Sequence, residues 1–258
     1  MNTYGIIYCA YNTEEYVLDS IEPFLNQSNH VVSAVSVPFM EYKDIDDFHD
    51  NTTQLLEGLL NDGRLKYLVD TPKFVPEATA RNHALEHLKK HNVDYVWLVD
   101  SDEFYTEGDI EEIETYVENS EQNLFKLSLR NFVFDKDHYL EEPFCPPRIF
   151  KTKIYVPELE DFIRLENFYW DNDIYSYENE VIKYSDVEDP TIIPEEVAWI
   201  RHYTWLNDTI GKRKVAYQHK HFGHCGYKWN EEKNSLEFDE EFHQKHNIPI
   251  PTVKNIYG

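Results

Sequence analysis

The chain has 258 residues, of which 41% are hydrophobic and 15% aromatic, which is enough apolar material for one large domain and excludes wholesale disorder. Its formal net charge of −25 repels phosphate backbones and anionic lipid surfaces, so non-specific nucleic-acid binding is disfavoured. Three cysteines at long spacings argue against a disulfide framework and for a reducing compartment.

The N-terminal segment MNTYGIIYCA lacks a basic start, and its apolar run is too short for a signal peptide. No stretch approaches the ~20 apolar residues that a membrane span requires. We therefore expect a soluble, cytoplasmic protein without a membrane span.

The first hundred residues alternate between apolar strand-like runs and helical patterns. Strands are predicted over 4–11, 30–39, 65–70 and 94–100, and helices over 13–25, 46–63 and 76–91. Thr13 is a candidate N-cap because two acidic residues follow it. This alternation is typical of a mostly parallel sheet covered by helices on both faces.

The second half is less regular. Helices are predicted over 109–119 and 209–221, and strands over 123–134, 148–156 and, ending in a turn, 197–206. Residues 157–190 follow no clear pattern. We treat 1–122 and 123–258 as two halves of one domain.

Polar residues follow three of the predicted strands. Ala10, Tyr11 and Asn12 follow the first strand, Asp70 ends the third, and residues 100–103 (Asp-Ser-Asp-Glu) follow the apolar run of the fourth. Ligands of open α/β sheets bind beyond the carboxyl ends of the strands. We therefore expect these residues to meet at one rim of the sheet.

The acidic turn at 100–103 has two interpretations. Residues two apart on a strand share a face, so Asp100 and Asp102 could hold Mg²⁺ or Mn²⁺ together with substrate phosphates. Alternatively, the turn is solvated and simply precedes the next helix. The chain has only 8 glycines and neither a P-loop nor a dinucleotide-binding glycine motif. A metal is then the natural way to neutralise a diphosphate.

Residues 4–105 resemble the nucleotide-sugar half of a GT-A fold glycosyltransferase of the family-2 type. The segments that carry the resemblance are YCAYNTEEYVLDSIEPFLNQ, ATARNHALEHL and VWLVDSDEF. A later segment, RHYTWLNDTIGKRKVAYQH, is similar to the His-x-x-Trp segment of related enzymes, including N-acetylglucosaminyltransferases.

This resemblance implies a Rossmann-like, mostly parallel central sheet flanked by helices, with an irregular C-terminal acceptor region. Residues 1–122 would bind the nucleotide sugar, and residues 123–258 would bind the acceptor.

The resemblance also implies roles for individual residues. Mn²⁺ or Mg²⁺ would be held by Asp100, Asp102 and His202. The nucleotide would be contacted by Ala10, Tyr11, Asn12, Asp70, Arg81, Ser101, Lys212 and Lys214, with Arg213 beside the last two. The family often has proline where this chain has Ala10.

The implied activity is transfer of a sugar, with inversion, from a nucleotide-diphosphate sugar to a hydroxyl acceptor on a glycan, a protein or another molecule. A UDP-sugar is the favoured donor. Inversion requires a base that takes the acceptor proton, for which Glu166 and Asp171 are candidates among the acids of 161–180.

Two other functions and one other metal site stay open. A sugar nucleotidyltransferase would need a glycine-rich loop after the first strand, and YNTEEYVLDS has no glycine. A non-catalytic carbohydrate-binding module with a calcium site would need further oxygen ligands. Zinc could bind the segment HKHFGHC through His219, His221, His224 and Cys225, although the spacing is not a standard zinc pattern.

Overall fold

The structure is a computed structural model, and it describes residues 2–43, 49–152, 190–222, 226–233 and 235–257. Glu166 and Asp171, and two members of the possible zinc segment, His224 and Cys225, lie outside the described residues. None of the described helices combines the length and the apolar character that crossing a membrane requires.

The described residues form the following elements. The strands are β1 (Tyr4–Cys9), β2 (His30–Ser36), β3 (Tyr67–Asp70), β4 (Tyr95–Asp100), β5 (Glu103–Phe104), β6 (Leu124–Lys126), β7 (Leu129–Phe132), β8 (His138–Phe144), β9 (Pro147–Lys151), β10 (Thr191–Ile192), β11 (Ile200–His202), β12 (Tyr227–Asn230), β13 (Ser235–Phe238) and β14 (Val253–Asn255). The helices are α1 (Glu14–Leu25), α2 (Thr52–Asn61), α3 (Glu77–Lys89), α4 (Glu107–Glu118), α5 (Asp208–Phe222) and α6 (Glu240–His246), with 3₁₀ turns at Met40–Tyr42 and Thr204–Leu206.

A seven-stranded sheet in the order β10-β6-β9-β4-β1-β2-β3 forms the centre of the fold. The four strands from β4 to β3 are parallel to one another. Strand β9 is antiparallel to both β4 and β6. The predicted α/β class, with a mostly parallel central sheet, is therefore confirmed.

Successive side chains of β1 and β4 point to opposite faces of the sheet, and helices cover both faces. Tyr8 and Trp97 pack with the apolar residues of α1 on one face, whereas Ile7 and Leu98 pack against α3 on the other. Because both faces are buried, the strands are apolar at nearly every position.

The helix predicted over 13–25 is confirmed as α1, and so is the N-cap position of Thr13. Thr13 occupies the N-cap position, and its side chain makes no capping hydrogen bond. Its hydroxyl instead accepts a hydrogen bond from the Ser101 hydroxyl, at 2.8 Å. The residue therefore ties the start of α1 to the acidic turn after β4.

The single strand predicted over 123–134 is wrong, because the chain changes sheets within it. Strand β6 belongs to the seven-stranded sheet, and β7 belongs to a second sheet in the order β14-β8-β7-β11-β5. Lys126 pairs with Pro147, whereas Leu129 already pairs with Phe144. Both paired segments pass from one sheet to the other at the same place, which periodicity along one strand does not reveal.

Two glycines provide a matched test of core packing. A Cβ added at Gly5 would lie 2.8 Å from a Leu88 methyl group, whereas a Cβ at Gly58 would meet nothing within 4 Å. We expect Gly5→Ala to lower the free energy of unfolding by about 1–3 kcal/mol through overpacking. Gly58→Ala, in the exposed interior of α2, should raise it by about 0.5–1 kcal/mol. Urea denaturation measures both, and equal effects of the two substitutions would contradict the packing.

Candidate functional site

The turns after β1 and β4 lie side by side because these strands are neighbours in register. Cys9 pairs with Asp100, and the Ser101 amide continues the ladder by donating to the Cys9 carbonyl at 2.9 Å. The residues that follow, Ala10, Tyr11 and Asn12 on one side and Asp102 on the other, therefore share one rim. Asp70 ends β3, two strands from β1 in the same sheet, which puts it roughly 10 Å along the rim at the usual strand spacing.

Asn12 shapes the turn after β1. It is buried and has a φ of 56°, a left-handed conformation that asparagine tolerates better than most residues. Its side-chain oxygen accepts from the Asp50 amide at 3.3 Å. The turn is thereby tied to the segment that leads into α2.

Helix α5 brings positive charge to this rim. The Arg213 guanidinium donates to the Tyr11 carbonyl at 3.2 Å, and it also lies over the Tyr42 ring, 5.4 Å from the centroid. Tyr42 in turn stacks on Tyr217 of α5, with centroids 4.6 Å apart. Tyr42 thus lines the site, and the sequence analysis missed this residue.

The predicted basic residues do not all face the same way. Lys214 lies close enough to Asp102 for its charge to act on that carboxylate. Lys212 forms an ion pair with Glu231, at 3.0 Å, in the turn between β12 and β13. The structure therefore places Arg213 and Lys214, rather than Lys212, beside the rim.

Asp102 and His202, which are 100 residues apart, lie together. Strand β11 pairs with β5 so that His202 stands opposite Glu103, and the Tyr203 amide donates to the Asp102 carbonyl at 2.8 Å. The His202 Nε2 atom lies 3.2 Å from Asp102 Oδ2. The Thr204 hydroxyl also donates to this carboxylate oxygen. Pairing of β11 with β5 within the second sheet thus builds this part of the site.

Asp102 is held in its ionised form. Burial raises the pKa of this carboxyl, but the charge and hydrogen bond of His202, the charge of Lys214 and the Thr204 hydroxyl together hold the pKa below its ordinary value. A carboxylate stabilised in this way is available to a cation near neutral pH.

The environment of His202 suits a nitrogen ligand of a metal. Its Nδ1 atom lies 2.6 Å from the side-chain oxygen of Asn131, so the Nδ1–H donates there. Its Nε2 atom faces the Thr204 hydroxyl at 2.7 Å and Asp102 Oδ2 at 3.2 Å, and it would become a metal ligand when a cation replaces the proton between them. Metal-binding histidines are usually oriented by such a bond. Within the described ranges no cluster of three or more His, Cys, Asp or Glu could hold a metal ion. A metal held by this pair would have coordination positions open for other oxygen ligands.

The carboxylate of Asp100 accepts hydrogen bonds from two buried arginines. Arg81 donates to Oδ1 at 2.8 Å, and Arg148 donates to Oδ2 at 3.1 Å. Arg148 also binds both oxygens of Glu103, and Arg81 pairs with Glu77 at 2.6 Å. These five residues form a row of alternating charges behind the acidic turn, which we call the charge row.

Three members of the charge row are almost fully buried. Arg81 and Arg148 are each 3% exposed and Glu103 is 1% exposed. Burial raises the pKa of Glu103, and the neighbouring Arg148 guanidinium opposes this shift. A buried ion needs a partner, so the row has to form as a unit. The position of Arg81 behind the rim, with Nε 3.3 Å from Cys9 Sγ, makes it a support for Asp100.

The sequence analysis missed Asn131, Arg148 and Thr204, and it assigned no role to Glu103. One signal was available for Arg148, since this arginine stands within the short apolar strand β9, where an unpaired charge would be costly. Ser101 is also enclosed, because its hydroxyl donates to Thr13.

The charge row provides a test of stability with a matched control. Arg148→Met leaves Glu103 buried without its partner, so we expect the free energy of unfolding to fall by about 3–5 kcal/mol. Arg64→Met breaks the exposed pair with Glu22 and should cost less than about 1 kcal/mol. Urea denaturation measures both. Adding Glu103→Leu to Arg148→Met should recover part of the loss, and no recovery would contradict the pairing.

Cys9 provides a test of burial at the rim. Burial raises the pKa of its thiol to about 12, so at pH 8 roughly one molecule in ten thousand carries the thiolate. We expect iodoacetamide to label the half-buried Cys145 in the native protein and to label Cys9 only after unfolding in urea. Peptide mass spectrometry reads out both sites. Native labelling of Cys9 at the rate of Cys145 would be inconsistent with the structure.

No curated protein matches the chain at a significant level. Among solved structures, the chain is similar to TarS of S. aureus in complex with UDP, at 18% identity and a TM-score of 0.38 over 52% of this chain and 37% of that one. It is also similar to the mannosyltransferase PcManGT from Pyrobaculum calidifontis in complex with GDP-Man and Mn²⁺, at 13% identity and a TM-score of 0.41 over 58% of this chain and 44% of that one. The chain thus spans less than half of either protein, and likeness at these scores carries no argument about the site.

A family model provides the assignment. The model described as glycosyl transferase family 2 matches residues 5–175, or 171 of the 258 residues. The match includes the turns after β1 and β4 and the row of buried charges behind them. With this match and the mostly parallel sheet, the expected GT-A class is confirmed, and the chain belongs to glycosyl transferase family 2.

Proposed function

We propose that this chain is a metal-dependent glycosyltransferase that moves a sugar, with inversion, from a nucleotide-diphosphate sugar to a hydroxyl acceptor. The observation that carries the proposal is the Asp102–His202 pair at the rim, with its oxygen and nitrogen atoms 3.2 Å apart. Family membership supplies the reaction class, and the pair supplies the reason for metal dependence.

Transfer of the sugar breaks its bond to the diphosphate, on which negative charge then grows. A bound Mn²⁺ or Mg²⁺ would stabilise that charge. Asp102 and His202 would hold the ion. Arg213 and Lys214 of α5 approach the same rim and add fixed positive charge for the leaving nucleoside diphosphate.

Asp100 has a separate task in this proposal. Its two oxygens already accept from Arg81 and Arg148, and each oxygen keeps a second lone pair. Asp100 can therefore remain clamped by the arginines and still face the cation, as the sequence analysis predicted. The clamp holds the backbone of the acidic turn, so Asp102 is pre-positioned before the substrate binds.

The turn after β1 is the proposed pocket for the base and ribose. Tyr11 is fixed there by a 2.9 Å hydrogen bond between its hydroxyl and His49 Nδ1, and Asn12 is fixed by its contact with Asp50. A UDP-sugar remains the favoured donor. Glycans, proteins and other hydroxyl compounds remain the proposed acceptors.

The catalytic base and the compartment stay predictions as well. Glu166 and Asp171 remain the candidate bases. A cytoplasmic location agrees with the free thiols of Cys9 and Cys145 and with the reducing environment in which free thiols persist.

Ligand-induced stabilisation tests the proposal. A ligand that binds only the folded state raises the melting temperature as its concentration exceeds Kd. We expect UDP, or another nucleoside diphosphate, to raise the melting temperature in the presence of Mn²⁺ and not in the presence of EDTA. Thermal-shift measurements over a panel of nucleoside diphosphates identify the base.

The matched variants are Asp102→Ala and the exposed control Asp137→Ala. The shift should disappear in Asp102→Ala and in His202→Ala, and it should persist in Asp137→Ala. A shift that needs no metal, or that survives in both site variants, would contradict metal binding at this pair. The absence of any shift across the whole panel would remove the support for a nucleotide-sugar donor.

A further inference from the structure

Two histidines converge at the C-terminal end of α3, away from the rim. The Nε2 atoms of His87 and His91 lie 3.1 Å apart. His87 lies in the last turn of α3, and His91 lies in the turn that follows the helix. Arg81 of the rim stands six residues before His87 in α3, which corresponds to roughly 9 Å along the helix axis. The pair is therefore separate from the proposed catalytic site.

The fold holds the His87 imidazole and the backbone of His91. The His87 ring stacks on the ring of Tyr67 in β3, with centroids 4.3 Å apart and planes within 4°. The His91 amide donates to the Leu88 carbonyl at 3.0 Å, so the backbone stays in a tight turn beyond the helix. Leu88 itself is fully buried. The His87 ring is thus held in place, and the exposed His91 side chain already lies against it, so only His91 has to be ordered further when the two bind a ligand together.

The distance between the two nitrogens matches the distance between two ligand atoms bound to one metal ion. Imidazole nitrogens bind Zn²⁺ at about 2.0–2.1 Å, and at that length two nitrogens 3.1 Å apart subtend an angle of about 100° at the ion. This angle lies between those of octahedral and tetrahedral coordination. The Nε2 atoms are also the outer nitrogens of the rings, and His91 is exposed, so an ion can reach them from solvent.

We propose that His87 and His91 form a second cation site that takes a nitrogen-preferring transition metal such as Zn²⁺, Ni²⁺ or Cu²⁺. Imidazole selects these ions over Mg²⁺ and Mn²⁺, which favour oxygen ligands. The site therefore differs from the Asp102–His202 pair in its chemistry as well as its position. Water completes the coordination, since the described residues offer no third protein ligand of the usual types here.

The surrounding charge also bears on the site. The net charge of −25 attracts cations to the whole surface. Lys90 acts against this attraction, because its charge reaches His87. Lys89 is offset by its ion pair with Glu86, at 2.7 Å. A metal bound by both His87 and His91 would stabilise the last turn of α3.

The helix offers a matched control in His83, which is exposed and stands four residues before His87. The test is a calorimetric titration of the full chain with ZnCl₂ in excess MgCl₂, in which the magnesium competes at the carboxylate site. We expect the wild type and His83→Ala to bind the same number of Zn²⁺ ions, one of them at this pair, with affinities within about twofold of each other. His87→Ala and His91→Ala should each bind at least about tenfold more weakly, because the second ligand no longer acts at high effective concentration.

A second measurement needs no variant. Zn²⁺ should slow the modification of His87 and His91 by diethyl pyrocarbonate and leave His83 unprotected, as read by peptide mass spectrometry. Equal protection of all three histidines, or of none, would overturn the site. So would equal losses of Zn²⁺ affinity in His83→Ala and His91→Ala. In either case the 3.1 Å contact would be only a hydrogen bond between two rings. Neither measurement depends on nucleotide binding, so the result stands apart from the proposed function.

Discussion

The register between β1 and β4 is the constraint on which the site depends. Cys9 stands opposite Asp100, and the next hydrogen bond of the ladder holds Ser101. This pairing places the two polar turns at the same height. A shift of two residues in the register would preserve the apolar faces of both strands, yet it would separate Asp102 from Asn12. The apolar pattern of the strands determines that they form a sheet, whereas their register determines which polar residues meet at its rim.

The charge row makes this register costly to change. Arg81 comes from α3, Arg148 from β9, and Asp100 and Glu103 from the two sides of the acidic turn. Each buried charge has its partner on a different element. Any displacement of β4 relative to α3 or β9 would leave a charge unpaired in a region that water does not reach. The charge row therefore makes the acidic turn rigid. This rigidity fixes the position of Asp102, although its own side chain is partly exposed.

The second sheet has a different role. Strands β5 and β11 carry Glu103 and His202 as direct partners, and β7 adds Asn131 beside His202. One face of this small sheet thus completes the proposed metal site. The segments in which β6 continues into β7, and β8 into β9, connect the two sheets. Residues from both halves of the chain consequently contribute to the candidate site.

The sequence by itself determined the elements of the first half and the location of the rim. Apolar runs and helical spacing identified β1 to β4 and α1 to α3, because these elements bury continuous faces whose periodicity is visible locally. The parallel arrangement followed from strand–helix alternation, and the polar turns at 10–12 and 100–103 followed from the chemistry of strand ends.

Only the tertiary structure decided which distant residues meet. The resemblance implied that His202 and Asp102 share a site, but the orientation of His202 by Asn131 and the clamp on Asp100 by Arg81 and Arg148 became visible only in the fold, because they join residues from different elements. Local periodicity carries no information about such contacts, because they depend on strand order and on the place where the chain passes between sheets. The same reason explains why 123–134 was predicted as one strand. The acidic segment forms a candidate metal site because its charges pair with residues distant in the sequence. The pattern of apolar residues does not encode such pairing.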